Sequence, residues 1–184
     1  MKKLHYLMIT AFVLVGVALT SCDNEDEQPP QTEDPNPDFV EAANEANLTT
    51  LLDAVGAVSG LSTTLLESEA ITVFAPNNAA FENALEAYEV DDLDGLVEEL
   101  GGANNLETVL NFHVVPAIAF SEDLEEGDNV FTTLSGQELT VFRAGQTVTV
   151  VDANGETATV INADVEIENG VVHVIDSVLL PELE

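Results

Sequence analysis

Histidine, serine and clustered carboxylates are the residue types here that could do chemistry, so their spacing decides which reactions are open. There are three histidines, His5, His113 and His173. The last two each sit in a Val-rich stretch, and the single cysteine, Cys22, leaves no thiol set from which to build a zinc site. Both rings therefore read as buried histidines hydrogen-bonded to backbone. His173, Asp176 and Ser177 have the side-chain types of a nucleophilic triad. Alternation along a strand, however, sends His173 and Asp176 to opposite faces, and no Gly-x-Ser-x-Gly elbow is present. With 35 acidic residues, a carboxylate pair for glycoside cleavage cannot be singled out. Asp91-Asp92-Leu93-Asp94-Gly95 fails as a calcium loop, because Val90 and Gly101 stand where acids are needed. It reads as a helix start, with acids at the positive end of the dipole. Glu122 to Asp128 reads as a solvated acidic loop. Weak surface calcium binding is the one metal reading left; no metal site, cofactor or phosphate loop is predicted.

The elements that position these residues begin with Thr72-Val73-Phe74-Ala75-Pro76-Asn77-Asn78-Ala79-Ala80-Phe81. β-Branched and aromatic residues make a short buried strand. Pro76 ends it and biases Ala75 away from the helical region. Asn77 caps a helix, on which Phe81 and Leu85 share a face. Upstream, Asp38 is the expected cap for a helix carrying Phe39, Val40 and Ala43. Leu48, Leu51, Leu52, Val55 and Val58 form a second, ended near Gly56 to Gly60, and Leu61, Leu65 and Leu66 a third capped by Ser59 or Ser62. Downstream, Leu93, Leu96, Val97 and Leu100 share a face. Gly101-Gly102 stops that helix, and Asn104 or Asn105 caps the next, which points Leu106, Val109, Leu110 and His113 inward. After Pro116 the period becomes alternating. Strands are predicted at 130–134, 139–143, 147–152 and 157–161, with a tight turn at Ala153-Asn154-Gly155. A closing hairpin follows over 165–175, then a last short strand over 178–180. Helices early and strands late make an α+β domain.

Three of these stretches carry a resemblance. Thr72 to Phe81 resembles the first signature of the fasciclin domain, an extracellular adhesion module. Leu110-Asn111-Phe112-His113-Val114-Val115-Pro116 is similar to that family's central histidine box, and Asn169 to Pro181 to its closing signature. The resemblance covers roughly residues 38 to 182 and implies a β-sandwich flanked by several short helices. It also points to Phe112, His113, Val114, Val115 and Pro116 as a binding patch, or merely as core. This chain has Phe112 where the family's adhesive Tyr-His pair has tyrosine, and Ala117 where a glycine usually follows the proline.

The N-terminus adds location. Lys2 and Lys3 precede an apolar run from Leu7 to Leu19, and Leu19-Thr20-Ser21-Cys22 resembles a bacterial lipobox. Residues 1–21 are therefore expected to be a lipoprotein signal peptide, with Cys22 acylated. Residues 22–37 are acidic and Pro-rich, an extended disordered tether, and 38–182 are the domain. The acids at Asp23 to Glu27 resemble export signals that place lipoproteins on the outer face of the outer membrane. Without the signal the chain holds 35 acids against Arg143 alone, a formal charge of −34. That surface repels nucleic acid. The expected function is a lipid-anchored envelope module, not an enzyme, binding an extracellular protein or glycan and reaching the membrane through Cys22. A periplasmic partner subunit of an envelope complex and an acidic polysaccharide hydrolase are the alternatives. An exposed apolar patch on an acidic surface marks the first, and a deep pocket with two carboxylates of displaced pKa the second.

Overall fold

The computed structural model describes residues 36–183, so the expected signal peptide over 1–21, Cys22 and almost all of the expected tether over 22–37 lie outside the described residues. Asp34–Glu184 forms one compact unit that carries every element named below. Helices α1 (Phe39–Glu45), α2 (Thr49–Ala57) and α3 (Leu61–Glu67) come first, followed by strand β1 (Ile71–Pro76). Helices α4 (Asn78–Ala87), α5 (Leu93–Glu99) and α6 (Ala103–Phe112) lead to the two-residue strand β2 (Val114–Val115). The chain ends in strands β3 (Gly127–Thr132), β4 (Glu138–Ala144), β5 (Thr147–Val151), β6 (Thr157–Ile167) and β7 (Gly170–Ile175).

The expected α+β class holds. The strands form one mixed sheet in the order β2-β1-β7-β6-β5-β4-β3, with β1 and β7 parallel and the other neighbours antiparallel. Sandwich character comes from this sheet folding over itself. One core contains Phe74 of β1 and Ile175 of β7 together with Leu139 and Val141 of β4 and Val148 and Val150 of β5. The other packs Ile71, Val73 and Ala75 of β1, with Val172 and Val174 of β7, against α1, α2 and α3. Strands β1 and β7 are thus buried on both faces, which is why they read as apolar runs broken only by Thr72 and His173. β6 spans both halves, and register shifts around Asn162 bend it. The ends of the sheet meet where Leu134 N–H, just past β3, donates to the Val114 carbonyl of β2 (2.8 Å).

Several local expectations are met atom by atom. Asp38 Oδ1 accepts from Glu41 N–H (2.8 Å), Asn77 Oδ1 from Ala80 N–H (2.7 Å) and Asp92 Oδ1 from Gly95 N–H (2.9 Å), each an N-cap. Others are corrected. Helix α3 is entered through Gly60 at φ +89°, not through Ser59 or Ser62, because the chain turns there in a left-handed conformation that glycine adopts without strain. Helix α6 starts from Gly102; Asn105 instead donates Nδ2–H to the Leu100 carbonyl (2.6 Å) and so closes α5. The 157–161 and 165–167 segments are one strand, and Val178 to Leu180 is no strand at all.

Candidate functional site

Each of the two histidines is held by two backbone groups. His113, the residue that closes α6, donates Nδ1–H to the Val109 carbonyl one turn back (2.7 Å). Its Nε2 accepts from Leu179 N–H (3.0 Å). This bond explains the lost strand: the 178–180 segment satisfies its backbone through side chains, with Leu180 N–H donating to Asp152 Oδ2 (3.0 Å) and Asn154 Nδ2–H to the Leu180 carbonyl (3.1 Å). His173 lies opposite Phe74 across the β1–β7 ladder and stacks on it, centroids 5.5 Å apart. It donates Nε2–H to the Ala119 carbonyl (2.8 Å) and accepts at Nδ1 from Asp164 N–H (3.2 Å). Burial lowers both pKa values, that of His113 to about 4, with the bonds to Val109 and Ala119 opposing the shift only in part. Both rings are neutral at pH 7, with one nitrogen donating and the other accepting.

The remaining candidate groups are committed in the same way. Asp152 Oδ1 accepts from Asn154 and Glu156 N–H (2.9 Å each), so its two oxygens serve three backbone donors in all. Asp176 Oδ1 accepts from Thr159 N–H (2.6 Å), away from His173. No triad forms. Among the described residues, no group of three or more His, Cys, Asp and Glu side chains could hold a metal ion.

The predicted patch divides along its length. Phe112, His113, Val114 and Val115 are buried, while Pro116 begins an exposed corner with Ala117 and Ile118, the last 49% exposed. This corner is fixed from beneath. The Thr72 hydroxyl donates to the Ala117 carbonyl (2.7 Å) and accepts from Ala119 N–H (2.9 Å). Ser121 is bound by the Asp164 carboxylate through both its N–H (2.7 Å) and its hydroxyl. Arg143 donates Nη1–H to the Glu122 (3.0 Å) and Leu124 (2.6 Å) carbonyls and Nε–H to that of Gly145 (3.0 Å). Arg143, the one lysine or arginine after Lys3, thus holds a loop in a chain with 35 acids available to it.

Sequence reasoning missed a cleft of about 350 Å³ beside His113. Its floor is Phe81, Leu106, Val109 and Leu179, and Ala80, Ala84 and Ala87 of α4 form one wall. Asp152, Glu156 and Ser177 stand among its lining. The spacing of the three alanines along one helix face was the available signal.

Residues 46–181 match the family model of the fasciclin domain. This chain belongs to that family. The fasciclin signatures fall on β1–α4, on α6–β2 and on β7 with the segment after it, the elements that carry both histidine clamps. "Protein sll1483" of Synechocystis sp. is 38% identical over 142 residues, 77% of this chain and 72% of that protein. The "Immunogenic protein MPB70" of Mycobacterium bovis is 32% identical over 149 residues, 79% of this chain and 69% of that one. Human periostin is 30% identical over 146 residues, 79% of this chain but only 16% of its own length. Fasciclin domains are often extracellular adhesion or binding modules.

Proposed function

We propose that this fasciclin domain is an envelope-displayed adhesion module whose contact patch is the exposed corner that begins at the last residue of the histidine box, Pro116-Ala117-Ile118. In this reading residues 1–21 direct export and Cys22 carries the lipid anchor. Residues 22–37 form the tether that holds the 38–182 domain away from an outer membrane. The observation that carries it is the corner itself. An aliphatic side chain stands half-exposed on a loop fixed by Thr72, Asp164, His173 and Arg143. A rigid apolar presenter loses little entropy on binding, and an apolar patch in so acidic a surface favours a protein ligand. The patch alone fits a periplasmic partner subunit equally, and it is the Pro-rich stretch after Cys22 that favours display. Phe112 to Val115 act as the buried frame beneath the patch. The commitment of His113, His173 and Asp152 to backbone groups supports binding over hydrolysis.

The test is protease treatment of intact cells carrying wild type, Cys22→Ala or Ile118→Asp, with cell attachment to a protein-coated surface scored in parallel. Display predicts that wild type is digested on intact cells and that Cys22→Ala is released from the envelope. Ile118→Asp should remain displayed but attach poorly. A wild-type domain protected until the envelope is opened would remove adhesion and leave a periplasmic partner subunit in its place.

A further inference from the structure

The cleft beside His113 plays no part in the contact patch, and its chemistry points to a different kind of ligand. We propose that it binds a small, mostly apolar molecule of about ten heavy atoms, whose single polar head is a hydrogen-bond donor, an alcohol or an amine. The size follows from the cavity: about 350 Å³, at ~30 Å³ per water-sized group, within the lower range of small-molecule pockets at ~300–1,000 Å³. The apolar body follows from the walls. Ala80, Ala84 and Ala87 present only methyl groups from α4, facing Leu96 and Leu100 of the α5 segment, so α4 cannot fill the gap to its neighbours. Walls of this kind hold water poorly and gain from an apolar occupant.

The head follows from the polar groups in the lining. Tyr88 and Ser177, half-buried, and Asn83 and Glu156, at the exposed rim, have side chains with no hydrogen-bond partner among the described residues. The carboxylates of the lining are Asp152 and Glu156, and no lysine or arginine stands among its residues. Asp152 is occupied by backbone N–H groups, which leaves Glu156 to accept from a ligand. A donor head is welcomed there, and a carboxylate head is repelled. The inference is independent of anchoring and adhesion, since it needs only the folded domain.

The experiment uses residues 34–184, the compact unit that holds all the cores. Decan-1-ol, decylamine and decanoate are titrated by calorimetry and by amide NMR at high salt, which screens the charge of the molecule as a whole. The alcohol and the amine should bind, shifting amides of α4 and of residues 177–180, with decanoate at least about tenfold weaker. The tighter of the two identifies the natural head. Ala84→Phe, which fills the cleft, should weaken all three by at least about tenfold while the protein stays folded; Ala87→Leu serves if that variant does not fold. Glu156→Gln should lower decylamine affinity and leave decan-1-ol unchanged. Decanoate binding as tightly as decan-1-ol, absence of binding by all three, or decylamine binding that survives the cleft-filling variants would each overturn the proposal. The last would be adsorption to the acidic surface.

Discussion

His113 and His173 make the same bonds in different surroundings. Each donates one ring N–H to a backbone carbonyl and accepts one backbone N–H at the other nitrogen. Around His173 the space is closed. Phe74 stacks on the ring, and the 117–124 loop is tied down over it by Thr72, Asp164 and Arg143. Beside His113 the space is open, because the helix across from it offers alanines where bulkier side chains would meet the ring's neighbours. A histidine clamp and a cavity are therefore separable features. The clamp depends on ring nitrogens and backbone geometry, and the cavity on the volume of side chains on another element.

Four experiments break or sharpen that comparison. The most severe disturbs the frame that both clamps share. Gly170 opens β7 opposite Ile71, and a Cβ there would overlap the Ile71 carbonyl oxygen. Gly170→Ala should cost more than about 4 kcal/mol, seen as loss of the cooperative urea transition.

Removing the clamps one at a time ranks them. His113→Ala orphans the Val109 carbonyl and Leu179 N–H and leaves a void, at a cost of about 3–4 kcal/mol. His173→Ala should cost about 2–3 kcal/mol, since its bond to Asp164 N–H is longer and only part-buried. Urea denaturation at pH 7 measures both, and a reversed order would mean that the closed region depends more on its histidine than the open one does.

Acid acts on the same bonds. Burial holds His113 neutral, so its folded pKa of about 4 lies below the ordinary 6.5. The stabilisation is complete above pH 6.5 and is lost as pH falls toward 4, about 3 kcal/mol in total. His173 shifts in the same direction. The stability gap between wild type and His113→Ala should therefore narrow between pH 7 and pH 4. A constant gap would show that the ring titrates normally in the folded protein.

The mildest change tests whether the regions are independent. Arg143→Ala should cost about 1–2 kcal/mol and speed amide exchange in residues 120–126. Amides of α6 and of residues 178–180 should not respond. If they do, the two regions are one cooperative unit.

What could be read from the sequence is what neighbours in the chain decide. A strand stopped by Pro76 and a helix capped by Asn77, the cap at Asp38, the helix start within Asp91 to Gly95, and the interior role of both histidines depend on contacts within about four residues or on plain hydrophobic pattern. The resemblance of Leu19 to Cys22 to a lipobox is also a local signal, but it lies outside the described residues and stays an expectation. Tertiary structure decided what distant segments share. Asn78, beside the predicted cap, accepts from Thr50 N–H (3.2 Å) and so serves the start of α2, 28 positions away. Val178 to Leu180 has a strand's composition, yet its backbone is taken by His113, Asp152 and Asn154, the nearest of them 26 positions away. The cleft is a volume left between helices whose packing no single segment encodes, and the corner at Ile118 is held by side chains distant in sequence, Thr72 of β1, Asp164, His173 and Arg143. Hydrogen bonds to a neighbouring residue follow from the chain's own geometry. A cavity, or a loop held by a distant side chain, exists only once the elements have packed.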